Sequence, residues 1–97
     1  MTVTFISRMK VFPEKEALFR DLCRQMEEAV RQNEPDTLYF RFYRLDGEHR
    51  YAVIESFKNE AAEEAHLSSP HFKAIGPDMI ACLDGGYERE YLHPLQP

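Results

Sequence analysis

A long amphipathic segment after Pro13 limits the possible folds more than any other feature of this sequence. Pro13 is followed by Glu14 and Glu16, and such an arrangement is typical of a helix start because the free N–H groups of the first turn favour negative charge. Apolar residues then recur at spacings of three and four as far as Val30. They are Leu18, Phe19, Leu22, Cys23, Met26, Ala29 and Val30. The spacing predicts one long helix whose apolar face must be buried against another layer.

Segments with a two-residue repeat lie on both sides of this helix and predict strands. The first runs from Thr2 to Phe12. The second runs from Thr37 to Leu45, and Asp46-Gly47 then predicts the tight turn of a β-hairpin that returns along Arg50 to Lys58. One face of the first strand carries Val3, Phe5, Ser7, Met9 and Val11, and one face of the second carries Leu38, Phe40 and Phe42.

The second half of the chain predicts an interrupted helix. Asn59 is a good N-cap for a helix from Glu60 to Leu67, and Ser69-Pro70 supplies a new cap with proline at the first helical position. Gly76-Pro77 predicts another break, followed by one or two more turns from Asp78 to Leu83.

A last strand is predicted from Tyr87 to Leu92, after Gly85-Gly86, and it completes the order βαββαβ. That order is typical of a ferredoxin-like α+β fold, in which a four-stranded antiparallel sheet has its helices on one face. A chain of 97 residues buries one modest core, so residues 1–97 are expected to form a single domain.

The face of the sheet turned away from the helices is predicted to be too apolar to face water in so small a domain. It carries Ile6, Phe12, Tyr39, Tyr43 and Ile54. The pattern predicts a homodimer in which two sheets pack face to face. The proline-rich tail from His93 to Pro97 is expected to be extended and to reach toward the partner subunit.

Charge and composition weigh against several function classes. The formal net charge is -5, with 17 acidic and 12 basic residues and no basic cluster, which argues against nucleic acid or membrane surfaces as partners. No apolar run approaches the roughly 20 residues of a membrane-spanning helix, and the N-terminal stretch lacks a signal-peptide pattern, so a cytoplasmic protein is expected. Cys23 and Cys82 are far apart in apolar patterns typical of buried, reduced thiols.

Two histidines, His66 and His71, stand on either side of a Ser-Ser-Pro break. Their spacing differs from the i, i+4 pair of a helical metal site, and no third ligand lies at a ligand-like interval nearby, so no metal is predicted. The dipole favours His66 at the end of its helix, where it can also donate to the last carbonyls. The simplest interpretation of His71 is a local hydrogen bond.

The stretch from Tyr51 to Phe72 resembles the antibiotic biosynthesis monooxygenase (ABM) domain family. The family's hallmark is a strand ending in Glu-x-aromatic, then a short helix ending in AxxAH, then SPHF. Glu55 to Phe57, Ala62 to His66 and Ser69 to Phe72 match these three parts. The similarity extends nearly end to end, through VFPEKEALF, EPDTLYFRFYR and YEREYLHPL.

The resemblance implies a dimeric α+β barrel, but it does not settle the activity. Members include cofactor-independent oxygenases of phenolic polyketides, quinol monooxygenases, haem-degrading enzymes and an isomerase of a small phosphorylated sugar. Haem-degrading members use Asn, Trp and an iron-ligating His where this chain has Ser7, His66 and Gly76, so haem degradation is not expected. GxGxxG, P-loop and GxSxG motifs are absent from the sequence, and no cofactor is predicted.

His66 and Glu55 are the predicted catalytic residues. The resemblance implies that the imidazole of His66 points into a cavity between helices and sheet, where an imidazole can pass protons near neutral pH. Glu55 lies on a mostly apolar strand face and would need a partner, either His66 or Arg89, and this contact would serve a purely structural role equally well. The predicted substrate-binding residues are Ser7, Tyr51, Phe57, His71, Phe72, Met79 and Tyr91.

Three functions are consistent with these residues. The first is a cofactor-independent monooxygenase, in which His66 takes a proton from an electron-rich phenol or hydroquinone and Glu55 sets the tautomer of His66. The second is an isomerase or another proton-transfer enzyme acting on a small carbonyl metabolite in a polar cavity. The third is a non-catalytic binding or stress protein whose cavity is filled by side chains. An open cavity beside His66 would separate the two enzymes from the third function.

Overall fold

The chain folds in the order βαββααβ, and a computed structural model describes residues 1–96 of it. A short 3-10 turn, Pro13–Lys15, leads into the first helix. The strands are β1 (Val3–Val11), β2 (Thr37–Arg44), β3 (Arg50–Phe57) and β4 (Leu83–Tyr91), and the helices are α1 (Glu16–Asn33), α2 (Glu60–Leu67) and α3 (Pro70–Ile80). The predicted ferredoxin-like α+β fold is confirmed.

The four strands form one antiparallel sheet in the order β2-β3-β1-β4. In the two central strands Phe5 pairs with Glu55, and on its other side Phe5 pairs with Tyr91. One step along, Ser7 lies opposite both Val53 and Arg89. This register sets the side chains of three strands side by side on the face that the helices cover.

The main core lies between α1 and the sheet, as the amphipathic spacing predicts. Phe19 is fully buried, and the other buried residues of α1 are Leu22, Cys23, Met26 and Val30. They pack with Val11, Tyr51, Met79 and Cys82 from the strands and the far end of the chain. Leu18, which the spacing also placed on the buried face, is 52% exposed.

The predicted break at Gly76-Pro77 is wrong. Helix α3 continues through Pro77 to Ile80, and β4 begins at Leu83, so both Gly85 and Gly86 lie inside the strand. A proline removes the hydrogen bond to the carbonyl four residues earlier, here that of Lys73. Because Lys73 and Pro77 are both exposed, water can satisfy that carbonyl and the helix survives. Cys82 consequently lies in the turn after α3 rather than in a helix.

The β2–β3 hairpin does not turn at Asp46-Gly47 alone. Residues 45–49 form a wider loop in which Gly47 and His49 both have positive φ, at 93° and 62°. The loop is drawn toward β1, because the N–H of Val11 donates to the His49 carbonyl at 2.9 Å. A register shift near the start of β2 likewise turns Leu38 outward, where it is 57% exposed, whereas Phe40 and Phe42 face the helices as predicted.

The outer face of the sheet carries Ile6, Tyr39, Tyr43 and Ile54 as the sequence predicts, whereas Phe12 lies just beyond the end of β1. Ile6 and Ile54 are cross-strand partners at its centre, and Tyr39 and Tyr43 are 40% and 37% exposed. Arg8 pairs with Glu90 at 2.9 Å on the same face.

Two further features concern the length of the helices and the C-terminal tail. Across residues 1–96, every helix is too short or too polar to traverse a bilayer. The tail from His93 to Gln96 is exposed and belongs to no helix or strand, and Pro97, which completes the predicted tail, lies outside the described residues.

Replacing Phe19 by alanine should destabilise the protein by about 3–5 kcal/mol, because the ring is fully buried between α1 and the sheet. Urea unfolding of wild type and F19A would measure this difference in the free energy of unfolding. The matched control is L18A, one position earlier and half exposed, for which the change should stay within about 1 kcal/mol. Equal losses in the two variants would contradict this description of the core.

Candidate functional site

A cavity of about 590 Å³ lies between the helices and the covered face of the sheet, next to His66. All four strands and all three helices contribute to its wall. The lining residues are Ser7, Met9, Phe19, Met26, Phe40, Phe42, Val53, Glu55, His66, Leu67, Phe72, Lys73, Gly76, Pro77, Met79, Ile80, Leu83, Tyr87 and Arg89. A missing opening beside His66 would have contradicted both enzymatic hypotheses, and the cavity is consistent with them.

The wall of this cavity is mostly apolar, and two of its ionisable groups, Glu55 and Arg89, lie near Ser7 on the sheet. Aromatic rings and methionines from β2, α1 and α3 supply most of the surface. The polar side chains include those of Ser7, Glu55, His66, Lys73 and Arg89. The strand register explains the grouping, because Ser7 pairs with Arg89 and its strand neighbour Phe5 pairs with Glu55. Such a cavity suits an aromatic ligand that carries a few polar groups.

His66 is buried near the end of α2, with its side chain only 3% exposed. Its ring packs among Phe72, Phe40 and Phe57, at centroid distances of 4.9, 5.2 and 5.5 Å. The Ser69 hydroxyl donates to the His66 carbonyl at 2.7 Å and fixes the backbone there. The imidazole is therefore held by aromatic packing on its faces, and its two nitrogens are left to polar partners.

Glu34 is the hydrogen-bond partner of His66, and no pattern in the sequence predicted this contact. Nδ1 of His66 lies 2.7 Å from Oε2 of Glu34, whereas Nε2 lies 3.9 Å from Oε1 of Glu55. Glu34 caps the end of α1, and the Pro35 after it favours the extended backbone that ends the helix. Glu34, and not the predicted Glu55, is therefore the carboxylate close enough to His66 to set its tautomer.

Glu34 accepts three side-chain hydrogen bonds and is ionised for that reason. Its Oε1 accepts from the Thr37 hydroxyl at 2.7 Å, and its Oε2 accepts from both His66 and His71. Burial raises the pKa of Glu34, but the hydrogen bonds from His66, Thr37 and His71 outweigh it and leave the pKa below the usual range. A carboxylate can only accept, so Nδ1 of His66 must carry a proton.

Glu55 has the opposite electrostatic environment. Burial raises the pKa of its carboxyl to about 7, which the positive charge of Arg89 partly opposes, while the charges of Glu63 and Glu34 raise it further. The side chain is 12% exposed and lines the cavity. Near neutral pH, the carboxyl of Glu55 is therefore present in both its protonated and its ionised form. Its Oε1 lies 3.9 Å from Nε2 of His66.

Arg89 supplies a positive charge to the cavity wall. Its guanidinium lies 4.0 Å from the centroid of the Phe5 ring and 5.5 Å from that of Tyr87, and its Nε donates to the Ser7 hydroxyl at 3.4 Å. These contacts fix the plane of the guanidinium.

The predicted substrate-binding residues divide into two groups. Ser7, Phe72 and Met79 line the cavity, together with the predicted catalytic residues. The other four do not line it. Tyr51 is in the main core, with its hydroxyl bonded to Glu16; Phe57 lies beneath His66; His71 faces Glu34; and Tyr91 packs edge-on against Phe5.

The lining residues that the sequence missed are mainly large apolar ones. Phe40 and Phe42 come from β2 and Met26 from α1. Alternation identified the face that they occupy, but not the gap between helices that leaves them beside open space. Arg89 was predicted only as a partner for Glu55.

A third potential metal ligand, contrary to the sequence argument, does lie close to the two histidines. Glu34, His66 and His71 bring ligand atoms within 4.8 Å of one another. Around a tetrahedral zinc ion, with bonds of about 2.1 Å, ligand atoms lie roughly 3.4 Å apart. The 2.7 Å between His66 and Glu34, and the closer contact of His71, are instead hydrogen-bond separations. The three residues form a hydrogen-bonded triad.

Comparisons with known proteins agree with this architecture. The family model for antibiotic biosynthesis monooxygenase matches residues 2–77. No curated protein sequence matches the chain.

Solved structures similar to the chain come from several organisms. A candidate antibiotic biosynthesis monooxygenase from Caulobacter crescentus CB15 is 28% identical, with a TM-score of 0.91 over 98% of this chain and 91% of that one. A conserved protein from Methanosarcina mazei Go1 is 26% identical, with a TM-score of 0.87 over 96% and 92%. A third structure, from Bacteroides thetaiotaomicron VPI-5482, is 22% identical with a TM-score of 0.89 over 99% and 91%, and it supports the fold alone.

Glu55 should make the protein less stable as the pH rises from 5 to 8. The pKa of Glu55 is about 7 in the folded chain against 4.5 in the unfolded one, so the folded state holds the proton longer and loses stability between these values. E55Q removes this dependence. Between pH 5 and 8, urea unfolding should show wild type losing roughly 2 kcal/mol relative to E55Q. Parallel pH profiles would contradict the raised pKa.

Proposed function

The chain belongs to the antibiotic biosynthesis monooxygenase family, and from that membership and its cavity we propose that it is a cofactor-independent monooxygenase. The substrate class is an electron-rich phenol or hydroquinone, including polyketide-like anthrones. His66 is the proposed catalytic base, and Glu55 is the nearest carboxyl to its Nε2, at 3.9 Å.

The observation that carries this proposal is that the two nitrogens of His66 have different partners. Nδ1 is committed to Glu34, and Nε2 lies on the side of Glu55, with which His66 shares the cavity wall. A neutral imidazole with its proton on Nδ1 has a basic lone pair on Nε2. The mostly apolar wall excludes water from an aromatic substrate and strengthens electrostatic interactions with its developing charge.

The reaction needs no external electron donor, because the substrate supplies the electrons. For an anthrone, Nε2 of His66 takes a proton from the ring CH₂, and the resulting anion is oxidised by O₂, forming a C–O bond. The peroxide takes the proton back, and its O–O bond breaks as the second C–H proton leaves. The products are a ketone and water, so CH₂ and O₂ become C=O and H₂O.

Arg89 and Glu55 are proposed to stabilise the intermediate anion. The guanidinium of Arg89 is fixed over Phe5 at the cavity wall, where a positive charge favours a phenolate oxygen. Glu55, with its pKa near 7, can donate a hydrogen bond when protonated. The remaining predicted contacts are Ser7, Phe72 and Met79, which would surround the ring system.

The alternative isomerase function is less well supported by the same cavity. Proton transfer on a small, polar carbonyl metabolite would be expected to use a polar cavity, whereas aromatic and methionine side chains dominate this one. The base and its partners would be unchanged, so the choice of substrate separates the two functions.

We also propose that the chain forms a homodimer through the outer face of the sheet. Ile6 and Ile54 at the centre are flanked by the half-exposed Tyr39 and Tyr43, and burying such a face against a second copy removes apolar area from water. The Arg8–Glu90 pair lies on the same face and offers polar contacts at its side.

Oxygen consumption tests the proposed reaction. Wild type is expected to consume O₂ with at least one member of a panel of anthrones and hydroquinones, and H66A should reduce kcat by about 100-fold or more. The matched control H93A changes an exposed histidine in the tail and should leave the rate unchanged. Equal rates in wild type and H66A, or turnover only of small carbonyl metabolites, would contradict the proposal.

Light scattering after size exclusion tests the dimer. Wild type should elute as a dimer, and I54E should elute as a monomer, because the new carboxylate would be buried without a partner at the centre of the interface. L18E, at a half-exposed position on α1, is the control and should remain dimeric. A wild-type monomer would refute sheet-on-sheet pairing.

A further inference from the structure

We propose that Glu34 and His71 are positioning residues for His66, which hold it in the tautomer with a proton on Nδ1 and a free Nε2 lone pair. This inference rests on the proposed function for its consequence in turnover. The tautomer itself can be measured without a substrate.

The triad joins three separate elements. Glu34 caps the C-terminal end of α1, His66 lies near the end of α2, and His71 is the second residue of α3. The Ser69-Pro70 break between the helices redirects the chain, so that Nδ1 of His66 and Nε2 of His71 meet the same oxygen, Oε2 of Glu34. A continuous helix would not bring two side chains five positions apart to one acceptor.

A carboxylate at this place needs these donors. The C-terminal end of a helix carries partial negative charge, so Glu34 is unfavourable at the end of α1 without compensation. Among residues 1–96, its oxygens accept from the side chains of Thr37, His66 and His71. All three bonds require Glu34 to be an ionised carboxylate, which can only accept. The proton in the His66–Glu34 bond must therefore lie on Nδ1 of His66.

His71 contributes by holding Glu34, not by entering the cavity. It lines a separate groove with Glu34, Thr37 and Pro70, on the far side of the triad from the cavity, and its side chain is 12% exposed. Removing its N–H would leave Oε2 with one donor, and Glu34 would be less firmly oriented toward His66. The other charged groups near the imidazole are Glu55 at 3.9 Å and, beyond it, Arg89 and Glu63.

A purely structural triad would behave differently from a positioning one. If the contacts only tied α1 to the α2–α3 junction, losing the carboxylate would lower the melting temperature but leave the tautomer and kcat unchanged. If they set the tautomer, His66 would move to a mixture of forms in which Nε2 carries the proton for part of the time, and kcat would fall while KM stayed nearly constant.

The first experiment is a long-range ¹H–¹⁵N spectrum of the histidine rings at neutral pH. Wild type should show His66 protonated at Nδ1 and bare at Nε2. E34L removes the acceptor at similar volume and should lose this pattern. E34Q should keep it, because its amide oxygen can face the histidines while its NH₂ faces the Thr37 hydroxyl. The control is E48L, whose side chain is 92% exposed in wild type.

A wild-type spectrum with the proton on Nε2 would overturn the proposal by itself, so the test does not depend on E34L folding. A stoichiometric metal ion on the purified protein would also overturn it, because the metal would occupy Nδ1. An unchanged His66 pattern in E34L would assign the triad a structural role only.

Turnover provides the second readout. With the substrate from the oxygen-consumption panel, E34L should lower kcat roughly 100-fold, with KM changed by less than about threefold. H71F should lower kcat by about 10-fold, and H71Q, whose amide can donate in place of Nε2, should recover most of the wild-type rate. A rate in H71F equal to wild type would remove His71 from the proposal. No turnover in any variant, with the wild-type tautomer as expected, would refute the proposed reaction and leave the positioning intact.

Discussion

Burial of the apolar face of α1 against one side of the sheet is the interaction on which the rest of this structure depends. Phe19, Met26 and Val30 occupy that contact and pack with Val11 and residues from the other end of the chain. Because α1 covers only part of the sheet, α2 and α3 must cover the remainder. They do so incompletely, and the gap that they leave is the cavity. The same packing places the C-terminal end of α1, with Glu34, beside the α2–α3 junction.

The elements that the sequence predicted well are those whose signal is local. Alternation in β1 and helical spacing in α1 reflect burial of one face, and a capping serine with a following proline marks the start of α3. Pro77 led to a wrong prediction of a helix break, because the effect of a proline depends on whether the carbonyl four residues earlier can bond to water. The width of the β2–β3 loop was set by contact with β1, which the Asp46-Gly47 pair does not reveal.

The site was predictable in part, and the limit is instructive. The predicted residues His66 and Glu55 line one cavity, and so do Ser7, Phe72 and Met79. Glu34 was missed because only the folded chain brings it to His66, and because a Glu-Pro pair after a helix looks like an ordinary helix end. Tyr51 and Tyr91 lie on the same sheet face as the cavity but do not line it, since Tyr51 is buried in the main core and Tyr91 is 51% exposed beside Phe5. Strand parity identifies a face and not the position of a gap.

The Ser69 hydroxyl has a consequence for comparing members of this family. It donates to the His66 carbonyl at 2.7 Å and accepts from the Phe72 N–H at 3.2 Å, so one side chain ends α2 and begins α3. Surface connections usually tolerate insertions, but one residue more or fewer here would rotate the two histidines relative to each other while the helices could still pack. A relative that keeps the fold but changes the length of this junction is therefore expected to lose the triad of Glu34, His66 and His71.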